Sequence, residues 1–529
     1  MTQWLKIFII SSTIAIISLL ATYINTNSCQ CPSNNTSTTS SHDSNNQNQE
    51  DEILAEWTIE SEMEKYPQIF KDYLQTKPKY WFHHTKGPEH HYIFQTVETV
   101  LNRLDFQKIE MDLTKFHFDW DILWSYQTHD ILKLPVDWSQ LKFHQKINHI
   151  PGNHVLTSKS ILGTTTESKY VPKAFTDVEK LREYAAVHPE TKFVLKCKAN
   201  RGVQLKKVSE MNFTDTEHYL DDFAQEFIDN PLLFHGHKFD FAVYVVITSI
   251  QPLRIYYYTK NLLLRFCPKP YSSSDPDDTD SYVVSDTKTP VWEFNGTRKY
   301  FENGYSTKDA FEGFLKSVGA DVVGIWKKIE DCIRSIIMMK EKDFIHWTKV
   351  AGTSKHNHFE LIRFDMILDN NLDLHLIEIN QHPNLYPSAN FIQNKFLYEN
   401  LIFNLFNLIG VGTSYSKENL KIPSMDVQQM IAEGHSMNVN PQSCLSNNCQ
   451  NSCDGDCMFC RKCLTADEVF DNLQAYREQM NLGDFKRIFP AEQEDDESVG
   501  LDLWGKVSKE SVKHAHWFGE MCEKNRYFC

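Results

Sequence analysis

Residues 358–385 read HFELIRFDMILDNNLDLHLIEINQHPNL. Two apolar-rich runs, 364–368 and 374–380, flank the turn-forming trio Asp369, Asn370 and Asn371, and this predicts a β-hairpin. Glu378 and Asn380 are two residues apart, so on a strand they share one face. Ile377 and Ile379 are expected on the opposite face, in a core. Asp365 lies on the preceding antiparallel strand, close enough in register to join the face of Glu378. Two carboxylates and one amide oxygen are hard ligands. They suit Mg2+, which takes a few protein oxygens and leaves its other positions to phosphates and water. The same spacing also describes an ordinary polar outer face of a hairpin.

Upstream, the chain alternates helical and strand patterns from 150 to about 410. Val194, Leu195 and Lys196 end a strand, and Asn200, Arg201, Gly202 and Val203 follow. A lysine at a strand end can reach nucleotide phosphates, and a glycine-containing loop can cover them with backbone N–H groups. A solvated strand edge is the plain alternative. Lys238 and Asp240 follow the turn His235-Gly236-His237, and their plain alternative is a surface hairpin. Residues 239–250 and 252–266 are strand-like aromatic runs, 120–126 is a further strand, and 391–409 has the pattern of a closing amphipathic helix.

Taken together, these segments resemble the tubulin–tyrosine-ligase-like family, over roughly residues 140–410. The matching strings are NHIPGNHVLTSK (148–159), FVLKCKANRGV (193–203), QEFIDNPLLFHGHKFDFAVYVVITS (225–249), PLRIYYYTKNLLLRF (252–266) and the hairpin at 358–385. The resemblance implies an α+β, ATP-grasp-like catalytic core with the nucleotide between two lobes. It implies that Lys159 and Lys196 approach the phosphates of ATP, and that Arg201 and Gly202 belong to the phosphate loop. Gln225, Glu226, Phe227 and Ile228 would form the strand that meets the adenine edge, and Lys238 and Asp240 would hold the nucleotide. Asp365, Glu378 and Asn380 would hold Mg2+, with Lys196 and Arg265 as the catalytic cations. Members of this family join an amino acid to a protein carboxylate through an acyl phosphate. Glutamate is the expected amino acid and tubulin the expected acceptor.

Three residues depart from the family pattern. Gln204 follows Val203 where a second glycine is usual, Cys197 follows Lys196 where proline is usual, and Ala242 stands where K-F-D-x-R has its arginine. Arg265 matches a family arginine and can partly serve for the missing one. Two readings stay open: an active ATP-dependent ligase, and a nucleotide-binding scaffold with weak or no ligase activity.

The rest of the chain bounds the setting. With 529 residues, two or three domains are expected. Hydrophobic residues make up 41% and charged residues 23%, which excludes global disorder. The formal charge of −16 argues against nonspecific nucleic-acid binding, which depends on phosphate neutralisation. Residues 4–24 contain one charge, Lys6, and are long enough to span a bilayer. An uncleaved signal anchor is favoured over a cleaved signal peptide or a buried helix. No Lys or Arg occurs between Asn25 and Glu64, so the positive-inside rule leaves the N-terminus cytosolic and the bulk lumenal or extracellular. Residues 25–50 read as a flexible stalk, 51–410 as the ligase-like domain, and 411–529 as a polar linker with a Cys-rich module. Six of the 13 cysteines fall between Cys444 and Cys463, which favours a disulfide-stapled module over a zinc site. Tubulin is cytosolic, so this topology conflicts with it: either the anchor orientation is reversed, or the acceptor is a lumenal protein other than tubulin.

Overall fold

The computed structural model describes residues 77–84, 88–134, 136–142, 144–196, 203–211, 223–284, 290–387, 394–412, 437–491 and 501–529. The expected membrane segment 4–24 and stalk 25–50 lie outside them. Among the described residues no helix is long and apolar enough to cross a membrane.

Three sheets follow one another along the chain. The first is parallel, with β1 (Lys79–His83), β2 (Gln107–Lys108), β3 (Ile122–Ser125) and β4 (Lys146–Ile147) in the order β2-β1-β3-β4. Helix α1 (Gln95–Arg103) crosses between β1 and β2. The second sheet is antiparallel and contains β5 (Ala174–Phe175), β6 (Lys192–Lys196), β7 (Val203–Lys207) and β8 (Phe223–Glu226), ordered β5-β8-β6-β7. Helix α2 (Lys159–Thr165) precedes it, and α3 (Val178–Val187) lies between β5 and β6.

The third sheet is the core of the molecule. Its strands are β9 (Leu233–Phe234), β10 (His237–Ile250), β11 (Leu253–Tyr258), β12 (Leu263–Phe266), β13 (Glu360–Leu368), β14 (Leu374–Asn380) and β15 (Phe485–Phe489). The path runs β14-β13-β10-β11-β15, with β12 and β9 also pairing with β10. The aromatic run at 252–266 thus breaks into two strands, both antiparallel to β10.

Strand β10 is buried at every residue but its first. Its sequence FAVYVVITSI lacks alternation because both faces are covered. Phe239, Phe241, Val243, Val245 and Ile247 pack on one side with Phe311 of α4 (Thr307–Ser317) and Ile329 and Ile333 of α5 (Val322–Met338). Tyr244 and Val246 pack on the other side with Val97 and Leu101 of α1 and Leu401 and Leu405 of α6 (Asn394–Leu408). Helix α6 is the expected closing helix. It is covered on more than one side, because α7 (Ala466–Met480) also packs against it.

The β13–β14 hairpin forms around Asp369 as the sequence predicts. Asp369 Oδ1 accepts the backbone N–H groups of Asn371 and Asp373, both at 2.9 Å. One expectation fails here. Asp365 pairs with Glu378 but Met366 pairs with Leu376, so Ile377 is an extra residue in a β-bulge. Leu374, Leu376 and Ile379 are buried, whereas Ile377 is only partly so. Ile377 therefore does not fill the core beside Ile379. The bulge shifts the phase of the strand by one residue and moves Glu378 and Asn380 off the core face.

The C-terminal extension adds to the core. Strand β15 extends the third sheet beside β11. Helix α7 begins at a capping box between Thr465 and Glu468 and carries Glu478 into the sheet. The buried Glu478 carboxylate accepts from Arg254 Nε at 2.8 Å and Nη2 at 3.0 Å, and from Thr248 and Tyr256 hydroxyls at 2.8 Å. The Cys-rich segment is held by Cys444–Cys460, Cys449–Cys457 and Cys453–Cys463, and Cys522–Cys529 joins the end of α8 (Lys509–Lys524) to the C-terminus.

Candidate active site

Four strands bring one row of charged side chains together. Across the third sheet Arg265 pairs with Asp240, Ala242 pairs with Asp365, and Asp365 pairs with Glu378. Strand alternation puts Lys238, Asp240 and Ala242 of β10 on one face, and the bulge brings Glu378 and Asn380 to it. Lys238 and Asp240 are buried, so the segment is not a surface hairpin.

The hydrogen bonds join this row into a network. Arg265 donates from Nε and Nη2 to Asp240, at 2.8 and 2.7 Å, and from Nη2 to Asp365 Oδ2 at 2.7 Å. Arg363, two residues before Asp365, donates to both its oxygens at 2.7 and 2.9 Å. Asn380 Nδ2 donates to Asp365 at 3.0 Å and to Glu378 at 3.1 Å. Lys159 Nζ lies 2.5 Å from Glu378 Oε2. Burial acts to raise the Asp365 carboxyl, but Arg363 and Arg265 outweigh it and hold the group below the usual carboxylate range. Burial prevails at Asp240 and raises it despite Arg265. Glu378 is held low: burial opposes ionisation, and Lys159 and Asn380 favour it more strongly.

Lys159 is placed by a buried carboxylate. Glu360, at the start of β13, accepts from Ile150 N at 2.8 Å and Asn153 Nδ2 at 3.0 Å, and its Oε1 lies 2.8 Å from His149 Nδ1. This fixes the 148–153 turn that precedes α2 and accounts for His149 and Asn153 of the NHIPGN string, while Asn148 bonds the backbone of Ser125. Gly152 has φ +85°, and a Cβ there would lie 2.5 Å from the Trp347 side chain.

Lys238 Nζ lies over the Phe227 ring, 4.3 Å from its centroid, with the Tyr271 ring at 6.0 Å. Burial pushes its ammonium down to about 8. Gln225 is buried, and its Nε2 lies 3.4 Å from Pro172 O. The Glu226 carboxylate is engaged by Tyr184 OH at 2.5 Å and Lys173 N at 3.1 Å, and Ile228 is partly buried just beyond β8. The Lys196 backbone ends β6, opposite Phe223 of β8. Lys196 thus lies on the second sheet and the carboxylates on the third, an arrangement with two lobes. The Lys196 side chain, Arg201 and Gly202 lie outside the described residues. A cavity of about 310 Å³ adjoins the end of β14. It is lined by Trp124, Tyr126, His149, Gln381, His382 and Asn384 among others, with no lysine or arginine.

Asn380 turns its N–H groups to Asp365 and Glu378, which leaves its amide oxygen, beside the Glu378 carboxylate, as a donor pair that fits a hard divalent cation. Glu378 and Asn380 are partly exposed, and Asp365 lies beneath them with its oxygens engaged by Arg363, Arg265 and Asn380. Among the described residues no cluster of three His, Cys, Asp or Glu groups is placed to hold a metal ion. Sequence reasoning missed Arg363. Its position two before Asp365 on the same strand was the available signal.

Residues 137–419 match the tubulin-tyrosine ligase family. The probable tubulin polyglutamylase ttll-15 of Caenorhabditis elegans is 32% identical over 421 residues, covering 78% of this chain and 79% of that one. Tubulin polyglutamylase TTLL6 of Mus musculus is 26% identical over 321 residues, 57% of this chain and 38% of its own. Tubulin monoglutamylase TTLL4 of Homo sapiens is 25% identical over 332 residues, 59% of this chain and 27% of its own. The family match spans just over half of the chain and the worm relative aligns along most of both proteins, so the chain belongs to the tubulin-tyrosine ligase family.

Proposed function

We propose that the protein is an ATP- and Mg2+-dependent ligase that joins the amine of glutamate to a carboxylate of an acceptor protein. The observation that carries this reading is the row Arg265, Asp240, Asp365 and Glu378 across four strands, with Lys159 bonded at its open end. The terminal phosphoryl group of ATP moves to the acceptor carboxylate, giving ADP and an acyl phosphate. The amine then attacks the acyl carbon, the amide forms, phosphate leaves and the nitrogen loses a proton. Glu378 and Asn380 would hold Mg2+, which neutralises charge on the transferring phosphoryl group. Lys159 and Lys238 supply fixed positive charge for phosphates. Arg265 is oriented by two carboxylates before substrate arrives, the preorganisation that electrostatic stabilisation requires. The names of the relatives support glutamate as the amino acid and an acidic, tubulin-like acceptor.

The same reading places the catalytic domain on the lumenal or extracellular side, anchored through residues 4–24. Three disulfides within 20 residues support an oxidising compartment, where the acceptor is a resident protein other than tubulin. A nucleotide-binding scaffold is the second reading, and Ala242, buried without a cation of its own, favours it. Labelled glutamate, ATP, Mg2+ and an acidic polypeptide, incubated with the full chain, decide between them. Glutamate-dependent ATP turnover is expected, and Glu378→Gln should lower it by roughly 100-fold or more. Nucleotide binding without turnover selects the scaffold, and absence of both rejects the nucleotide reading.

A further inference from the structure

We propose that Arg363 is a positioning residue that clamps Asp365 from within the sheet. Asp365 then orients Arg265 and Asn380, and any divalent cation is left to Glu378 and Asn380. The clamp stands on the geometry alone, and the metal half rests on the Mg2+–nucleotide reading above.

Four N–H groups converge on Asp365: two from Arg363, one from Arg265 and one from Asn380. An ionised carboxylate has about four acceptor positions, so little capacity remains for a metal. The Asp365 side chain is 1% exposed and that of Arg363 is 7% exposed. A metal that took the Asp365 oxygens would displace a guanidinium with nowhere to find water, and an unpaired buried charge is strongly unfavourable. Glu378 differs. Its side chain is 21% exposed, and its cationic partner Lys159, 51% exposed, can turn to solvent or to a phosphate at little cost.

The sequence makes room for the clamp. Ala242 lies directly opposite Asp365, and its methyl group leaves space on that face. Arg363 occupies the same face two pairs along, opposite Tyr244, and lays its fork along the strand onto Asp365. Each carboxylate of the cluster has a cationic partner without any ion: Asp240 has Arg265, Asp365 has Arg265 and Arg363, and Glu378 has Lys159.

Two measurements on the purified full chain test this. The first is a thermal-midpoint cycle with Arg363→Gln, Asp365→Asn and both together. Each single variant should lose several degrees and the double should lose less than their sum, because each single leaves a buried charge unpaired. Additive losses overturn the clamp. The second is the Mg2+ concentration that half-saturates nucleotide binding, read by calorimetry. It should rise roughly tenfold or more in Glu378→Gln. In Arg363→Gln it should fall several-fold, because a freed Asp365 can then draw the metal. An unchanged or higher value in Arg363→Gln overturns the division of roles. A wild type that binds no Mg2+–nucleotide rejects the functional reading, while the midpoint cycle still decides the clamp.

Discussion

Lys238 shows how a single position can couple the site to pH. Its ammonium is buried against Phe227 and Tyr271, which lowers its titration to about 8 from an ordinary 10.5. Above pH 8 the folded protein has released a proton that the unfolded chain still holds, so this group adds stability as pH rises from 8 to 10.5. Phosphates favour the ammonium, so nucleotide binding should have the opposite dependence. Affinity should fall as pH rises through 8, with proton uptake on binding above that pH and little below pH 7. Calorimetry in buffers of different ionisation enthalpy reads the uptake directly. Lys238→Met should bind more weakly at neutral pH and show no uptake near 8. Uptake that persists in Lys238→Met would assign the proton to another group. At this scale the sequence made the shared face of Glu378 and Asn380 legible, because they are two apart on one strand, whereas their meeting with Asp365 depends on the pairing between strands. Arg363 obeys the same alternation, but alternation gives only the shared face, whereas the fork it lays on both Asp365 oxygens is set by the side-chain conformation.

The β13–β14 hairpin marks the limit of legibility for elements. Its turn, its two strands and the near-continuous apolar β10 follow from residue types that leave few other conformations. The bulge at Ile377 does not, since an extra residue in one strand has meaning only against its partner. The bulge determines the site. Without it the phase set by Leu374 and Leu376 would carry Glu378 to the core face and Ile377 to the site. Two substitutions distinguish the arrangements. Ile379→Ala should cost about 2–4 kcal/mol, as for other buried aliphatic truncations, because Ile379 is buried with Leu376 and Met366. Ile377→Ala should cost under about 1 kcal/mol by the same scale, since that side chain is only partly buried. Denaturant midpoints measure both, and equal costs would mean an unbroken strand with both isoleucines in the core.

For the molecule as a whole, the C-terminal extension ties oxidation to the catalytic sheet. Cys449, Cys457 and Cys460 are buried at the centre of the stapled segment. That segment runs directly into α7, and α7 delivers Glu478 to the buried Arg254 of β11. Each disulfide restricts the unfolded chain and contributes roughly 2–4 kcal/mol, on the chain-entropy account. Losing three of them would therefore weaken the anchorage of α7 and β15, and with it one edge of the third sheet. Composition alone indicated a stapled module, but it gave no sign that the module continues into the core, because pairing between residues 255–258 and 485–489 is a long-range contact. The chain should therefore mature where disulfides form. Non-reducing peptide mapping should recover the three links between Cys444 and Cys463, and protein made under reducing conditions should show a lower thermal midpoint and faster proteolysis at residues 466–489. In cells, a glycosylation acceptor appended to the C-terminus should become glycosylated, and the C-terminus should resist protease in intact microsomes. Free thiols at these positions, with an unmodified and protease-accessible C-terminus, would return the catalytic domain to the cytosol and restore tubulin as its acceptor.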